Sequence, residues 1–174
     1  MADSGESSKQ TYSIIREIYE NGAASEHFEV KLEEALEKAV SVIIIEPSVL
    51  GAETAKWIMI GNFLHKTSVL TGVFSLSLAI PNYVPKAYVP LGFVSFVCAG
   101  LYMASWQYDP CCKYQVEKDS RKLQKLPLHH LTSNAPVVLV RKDDSRRKIL
   151  HTTIAIAAVS FSAYYLYNIY IDGQ

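Results

Sequence analysis

Cysteines and histidines stand side by side at two places in this 174-residue chain, as Cys111–Cys112 and His129–His130. Thiolate and imidazole are zinc ligands, but zinc sites usually separate paired ligands by about two to four residues, so adjacent pairs fit the metal poorly. A vicinal thiol pair beside a membrane can instead be acylated or oxidised. The alternative is that Cys111 and Cys112 are only small residues at a membrane edge.

His65 beside Lys66 is the one pair of ionisable side chains close to an apolar stretch. Ionisable side chains inside a membrane are by default functional, but placement at the membrane–water boundary also explains this pair. The chain contains no phosphate-binding glycine loop, serine elbow or catalytic acid pair. The sequence therefore names no catalytic, cofactor-binding or metal residue, and it predicts a protein that is not an enzyme and has no cofactor.

The elements that hold these residues are apolar stretches. Residues 87–106 carry no charged side chain, and at about 1.5 Å per residue such a helix crosses the roughly 30 Å hydrocarbon core of a bilayer. Residues 57–80 are long enough to cross if Asn62, His65 and Lys66 lie toward the interface. We predict that the two stretches form a transmembrane hairpin. A tilted or half-inserted helix is the alternative for residues 57–80.

A third apolar stretch, residues 152–170, follows a basic segment and ends among tyrosines. A basic flank and an aromatic end are typical of a membrane-spanning helix. We expect a third span here, which places the C-terminus opposite the N-terminus. A buried helix in a soluble core is the alternative.

Small residues recur four positions apart in the first two stretches, a spacing that lets membrane helices approach closely. The pairs are Ser68 and Gly72, Ser75 and Ala79, Ser95 and Ala99, and Gly100 and Ala104. We expect the hairpin helices to pack through these positions.

The N-terminal segment has the pattern of a small strand–helix–strand region. Residues from Tyr12 are rich in β-formers, residues 26–40 collect apolar side chains on one helical face, and residues 42–45 are a β-branched run stopped by Pro47. A further β-branched run, residues 135–141, has the opening proline of an edge strand. We predict that it completes the sheet.

Charge is divided along the chain although the formal net charge is zero. Residues 1–66 hold 6 basic and 11 acidic side chains, whereas residues 107–148 hold 10 basic and 5 acidic ones. The balance predicts no nucleic-acid partner. Because a hairpin brings both regions to one side of the membrane, we expect them to dock.

Residues 111–126, within the basic region, collect apolar side chains on one side of a helical wheel and keep most lysines off it. This pattern is typical of a basic helix on a membrane surface, which would favour anionic lipid, cardiolipin included. A charge run paired with the acidic region is the alternative.

The predicted fold class is a mainly α membrane protein: a two-helix transmembrane hairpin, a third C-terminal transmembrane helix, and a small α/β region built from the N-terminal segment and a strand near residues 136–141. The expected divisions are a disordered leader (1–11), the strand–helix–strand region (12–50), an amphipathic helix leading into the first span (51–83), the second span (84–107), the basic segment (108–148), and the third span with its tail (149–174).

Long strings in the chain resemble the animal transmembrane protein 11 family. They include IIIEPSVLGAETAKWIMIGNFLHKTSVLTG at 43–72, SWQYDPCCKYQVE at 105–117 and PVVLVRKDD at 136–144. The resemblance implies a multi-pass mitochondrial protein needed for mitochondrial morphogenesis and cristae organisation, without catalytic activity. It implies the inner membrane, with the outer membrane as the alternative. As partners it implies the cristae-junction organising complex and receptors of mitochondrial removal.

We therefore expect a non-enzymatic membrane organiser that acts through mitochondrial membrane lipids and proteins, with a homo-oligomer among its forms. A channel or transporter subunit is the alternative, and a membrane enzyme with a bound cofactor is a third hypothesis. The polar residues available to line a pore are Asn62, His65, Ser68, Thr71, Ser75, Ser77 and Ser95.

Overall fold

A computed structural model describes residues 12–16, 24–80, 85–124, 126, 131 and 136–172. The chain divides into two compact units. The first, here called the sheet unit, comprises Met1–Lys56 and Lys113–Lys142, and the second, the helix unit, comprises Trp57–Cys112 and Asp143–Gln174. The predicted leader, residues 1–11, lies outside the described residues.

The elements in chain order are β1 (Tyr12–Ile15), α1 (Ala24–Glu37), β2 (Val42–Ile45), α2 (Ser48–Ala79), α3 (Pro85–Ser105), a 3₁₀ turn (Pro110–Lys113), β3 (Tyr114–Val116), α4 (Ser120–Leu123), β4 (Val137–Arg141) and α5 (Ser145–Asp172).

The sheet unit is built on a four-stranded mixed sheet in the order β1-β2-β4-β3. β1 pairs parallel to β2, with Ile14 opposite Ile44, and α1 lies in the crossover that a parallel pair requires. β4 pairs antiparallel with β2 on one side and with β3 on the other. The predicted strand–helix–strand region and the distant strand at 135–141 are therefore confirmed as β1–α1–β2 and β4.

β2 is the centre of this unit, and all four of its residues are buried. On one face, Val42, Ile44 and Val138 form a cluster against which Leu123, Leu126 and Leu131 pack. On the other face, Ile43 and Leu139 are fully buried. A β-branched run without polar alternation is what a strand covered on both faces requires.

α1 is followed by a residue in the left-handed backbone conformation, Ala39. The N–H of Val40 donates to the carbonyl of Ala35 (3.3 Å), and the N–H of Ala39 donates to that of Leu36 (3.1 Å), which is the bond pair of a Schellman cap. Ala39 adopts a φ of 52° there. The helix therefore ends at Glu37, before the predicted limit of residue 40, and the chain turns into β2.

Two expectations for the sheet unit are wrong. β4 is not an edge strand, because β3 pairs with its far side and sets Gln115 opposite Val140. Residues 111–126 do not form one basic surface helix, because the chain there makes the 3₁₀ turn, β3 and the short α4. Tyr114 and Val116 are good strand formers, and ladder bonds to β4 override the helical-wheel pattern.

Two described helices of the helix unit are long and apolar enough to cross a membrane, Ala87–Ser105 within α3 and Ser145–Asp172. In the most apolar 18-residue part of each helix, only 28% and 22% of the residues are buried, whereas a core helix of a soluble protein is mostly buried. The predicted spans at 87–106 and 152–170 therefore lie on membrane-length helices. α2 has 32 residues but does not meet the same apolar criterion, because Asn62, His65 and Lys66 lie within it.

α2 packs antiparallel to α3 through small residues. Ser68 Oγ donates to the carbonyl of Ser95 at 2.9 Å, and Ser95 Oγ donates to the carbonyl of Ser68 at 2.7 Å. A Cβ at Gly72 would lie 2.7 Å from Ser95 Oγ and still closer to Ile154 Cγ2, so a larger residue does not fit. The close approach predicted for Ser68, Gly72 and Ser95 is confirmed.

The same expectation is wrong for Gly100 and Ala104. A Cβ at Gly100 would meet no atom within 4 Å, and Ala104 is exposed. The glycine of α3 that does touch another helix is Gly92, where a Cβ would lie 2.5 Å from Ser162 Oγ and 3.0 Å from the carbonyl of Ala158.

Candidate functional site

Three rings join the long helices of the helix unit, and we call them the histidine layer. His65 of α2 and His151 of α5 bring their Nδ1 atoms to 3.1 Å. Tyr102 of α3 lies edge-on to His151, with ring centroids 4.8 Å apart. His151 is 0% exposed, so the layer occupies the interior of the helix unit.

The matching spacing on α2 and α5 brings the two histidines together. Arg147 Nη2 donates to Asn62 Oδ1, one turn before the histidine contact on each helix. Residues three or four apart share one helical face, so Asn62 and His65 meet Arg147 and His151 in order along the helices. α2 and α5 therefore run parallel to each other where they touch.

The histidine layer has the chemistry of a helix-to-helix contact. A hydrogen bond between two Nδ1 atoms needs one hydrogen, so one imidazole donates and the other accepts. His151 Nε2 is buried and has no hydrogen-bond partner among the described residues. Within the same described part of the chain, no group of three or more His, Cys, Asp or Glu side chains could hold a metal ion.

Two tryptophans close the end of the helix unit beyond this layer. The rings of Trp57 and Trp106 stack with centroids 4.3 Å apart. Trp57 Nε1 donates to Asp109 Oδ2 at 2.6 Å, and Trp106 Nε1 donates to the carbonyl of Trp57 at 3.1 Å. Paired indoles with satisfied N–H groups suit the polar boundary of a membrane.

Cys112 belongs to a charged hydrogen-bond group at the same end. Its thiol donates to Asp144 Oδ2 at 3.1 Å, and Lys148 Nζ lies 2.8 Å from the same oxygen. Lys148 also donates to the carbonyl of Gln107 at 3.1 Å. Burial alone would raise the pKa of Asp144, but the hydrogen bonds from Lys148 and Cys112 outweigh it and lower that pKa below its ordinary value.

The cysteine pair is held in its thiol form. Burial, together with the Asp109 carboxylate, raises the pKa of Cys111 to about 12. Burial and the hydrogen bond to Asp144 raise the pKa of Cys112 to about 11. Because the thiolate is the reactive species, this environment disfavours the acylation or oxidation considered for the pair and favours the structural alternative.

The structure brings His65 into the histidine layer and leaves its neighbour Lys66 exposed. His129 and His130 lie outside the described residues. His151, Arg147 and Asp144 are not among the residues that the sequence singles out, because the predicted third span starts at residue 152. The signal that could have found His151 is a histidine directly before an apolar stretch, since such a side chain needs a polar partner.

The polar side chains predicted to line a channel in the alternative hypothesis all make hydrogen bonds within the helix unit. Ser75 Oγ donates to the carbonyl of Tyr88 at 2.8 Å, which links α2 to α3. Thr71 and Ser77 donate to carbonyls of their own helix. Asn62 and His65 bond to α5, and Ser68 and Ser95 bond to each other's carbonyls.

Comparison with known proteins places these features in context. The chain matches the model of a family described as mitochondrial morphogenesis regulator over residues 11–167. It is similar to transmembrane protein 11, mitochondrial, of Danio rerio, with 54% identity over 160 residues that cover 90% of this chain and 86% of the relative. The protein of that name in Homo sapiens is 52% identical over 90% of this chain and 83% of its own length. No solved structure matches.

Proposed function

This chain belongs to the mitochondrial morphogenesis regulator family, and from that membership we propose that it organises mitochondrial membrane as a non-catalytic scaffold of three packed helices. It is a mitochondrial transmembrane protein, as its relatives are. Beyond this membership, we propose its three-helix form, the mitochondrial membrane that contains it and its non-catalytic mode of action.

The distribution of polar atoms in the helix unit carries this proposal. Ser68, Ser75 and His151 are each 0% exposed, while Phe63, Phe74 and Phe93 are 64%, 62% and 62% exposed. A bundle with polar contacts inside and large apolar side chains outside is suited to lipid and to other membrane helices.

We place α2 in the membrane as the first of three spans, with the N-terminus in the matrix and the C-terminus opposite. The support is that α2 lies along α3 from the Trp57–Trp106 stack to the Ser75–Tyr88 hydrogen bond, so the two helices cross the same layer. We propose the inner membrane, with the outer membrane as the alternative. Protease protection of tags at both ends, in mitochondria and in mitoplasts, tests together the membrane, the orientation and whether the number of crossings is odd.

The partners proposed for this scaffold are mitochondrial lipids, anionic lipid included, further copies of the chain, the cristae-junction organising complex, and receptors of mitochondrial removal. A scaffold needs exposed helix surface, which the outward-facing apolar residues supply. The channel alternative has less support, since Ser68, Ser75 and Ser77, three of the polar residues it requires, donate to carbonyls of the helices.

Expression in cells that lack the endogenous protein tests the scaffold directly. Gly92→Leu places a large side chain against Ser162 and Ala158 and should separate α3 from α5, so cristae should stay disorganised. Gly100→Leu is the matched control, because the same side chain enters open space and should restore cristae. Electron microscopy of cristae gives the readout. Equal rescue by the two variants, or an altered solute flux in vesicles of matched shape, would contradict the scaffold.

A further inference from the structure

Within the proposed span, residues 57–79, the exposed face of α2 carries one charged residue, Lys66, among mostly apolar ones. Its exposed residues follow the alternating four- and three-residue spacing of a helix–helix seam: Met59, Phe63, Lys66, Leu70, Val73 and Ser77. We call this stripe the α2 seam. Such spacing is typical of helices that pack as a left-handed pair, so the seam has the form of a surface for one more helix.

Lys66 lies near the middle of the membrane layer in the proposed three-span arrangement, on which this inference rests. Ser68 exchanges two hydrogen bonds with Ser95, which is close to the midpoint of the candidate span Ala87–Ser105. Lys66 precedes Ser68 by two residues. At about 1.5 Å per residue, its Cα is about 3 Å from the level of Ser95 and about 12 Å from the level of Ser105.

The ammonium group of Lys66 has no opposite charge near it in the part of the chain that the structure describes. The neighbouring polar residues do have partners, since Asn62 bonds to Arg147 and His65 bonds to His151. The four-carbon stem of lysine reaches on the order of 6 Å, about half the distance to the membrane surface at Ser105. A charged side chain at such depth normally pairs with another charged group, so Lys66 indicates a partner.

We propose that the α2 seam binds a transmembrane helix of a different protein, which places an aspartate or glutamate opposite Lys66. A second copy of this chain cannot supply that carboxylate, because residues 57–80, 87–106 and 150–171 contain no Asp or Glu. Two copies joined through this face would also bring one Lys66 against the other. A lipid phosphate fits less well, because it lies beyond the reach of the stem.

The test uses the full chain in phosphatidylcholine vesicles with a synthetic leucine-rich transmembrane helix, and measures their association by energy transfer. A helix with one central glutamate should bind about tenfold more tightly than the same helix with glutamine. Lys66→Gln should remove this preference, and Lys66→Glu should transfer it to a helix with one central lysine. Lys56→Gln is the matched control, because Lys56 is an exposed lysine of the same helix outside the proposed span.

Equal binding of the glutamate and glutamine helices, or a preference that survives Lys66→Gln, overturns the inference. The inference is also overturned, in favour of lipid phosphate, if association requires cardiolipin in place of glutamate and this requirement depends on Lys66. Lys66→Cys separates this failure from failure of the proposed function. Labelling by a membrane-impermeant thiol reagent, above that of the unmodified chain, refutes the three-span arrangement. Protection without a charge preference refutes only the helix partner.

Discussion

The sheet unit and the helix unit bury opposite kinds of side chain. In the sheet unit the residues with no exposed surface are apolar, as at Ile43, Ile44 and Leu139. In the helix unit they include Ser68 and His151, and many large apolar residues, Phe63 and Phe93 among them, lie on the outside. One chain therefore contains one part with the pattern of a water-soluble domain and one with the inverse pattern.

The difference indicates that each unit is adapted to its own solvent. In water, burial of apolar surface stabilises a fold by about 25 cal/mol per Å². Between helices in lipid this driving force is absent, so close packing of small residues and hydrogen bonds between helices take its place. The following predictions test this contrast, and each uses the full chain in detergent micelles.

The largest expected effect is in the sheet unit. Leu139→Ala removes a fully buried side chain of β4, the strand between β2 and β3, and should lower the free energy of unfolding of this unit by about 2–5 kcal/mol. Hydrogen exchange of the β2 and β4 amides measures the loss. Val49→Ala is the control, because Val49 is 70% exposed and the change should stay within about 0.5 kcal/mol. Equal effects of the two would show that the sheet unit has no apolar core of the kind described.

A smaller effect is expected where the helix unit ends in its charged group. Asp144→Asn weakens the bonds from Lys148 and Cys112, and should cost about 1.5–3 kcal/mol at neutral pH. Because the folded pKa of Asp144 is lowered below 3.8, its contribution is present above pH 3.8 and is lost as pH falls through the folded pKa.

The difference between this variant and the unmodified chain should therefore shrink below pH 3.8. Thermal unfolding followed by tryptophan fluorescence measures it, because both tryptophans of the chain lie in the stack at this end. The other carboxylates titrate equally in both proteins and cancel in the difference. If the difference in stability between the two proteins were constant from pH 7 to pH 3, the proposed contribution of the Asp144 carboxylate would be contradicted.

The sequence predicted the parts of each unit that depend on local pattern. The β-branched run at 42–45, the apolar face of α1 and the uncharged run of α3 appeared where expected, because each repeats at the period of its element. The close contact at Ser68, Gly72 and Ser95 followed from spacing alone.

The sequence could not predict what depends on pairing between distant segments. Residues 111–126 fit a helical wheel, but β4 offers Tyr114–Val116 a ladder that no local pattern reveals. The contact of His65 with His151 joins residues 86 positions apart. Gly100 had the same spacing signal as Gly72, yet only the tertiary arrangement decides which glycine meets another helix.

The smallest effect tests the polar interior of the helix unit. Ser95→Ala removes a hydroxyl that donates to the carbonyl of Ser68, and should cost about 0.6 kcal/mol and no more than about 1.7, because separated helices in a micelle find other partners for their polar groups. Reversible unfolding followed by tryptophan fluorescence measures this cost. Ser77→Ala is the control, since Ser77 is exposed and bonds only within its own helix. A cost as large as that of Leu139→Ala would mean that one rule of burial governs both units.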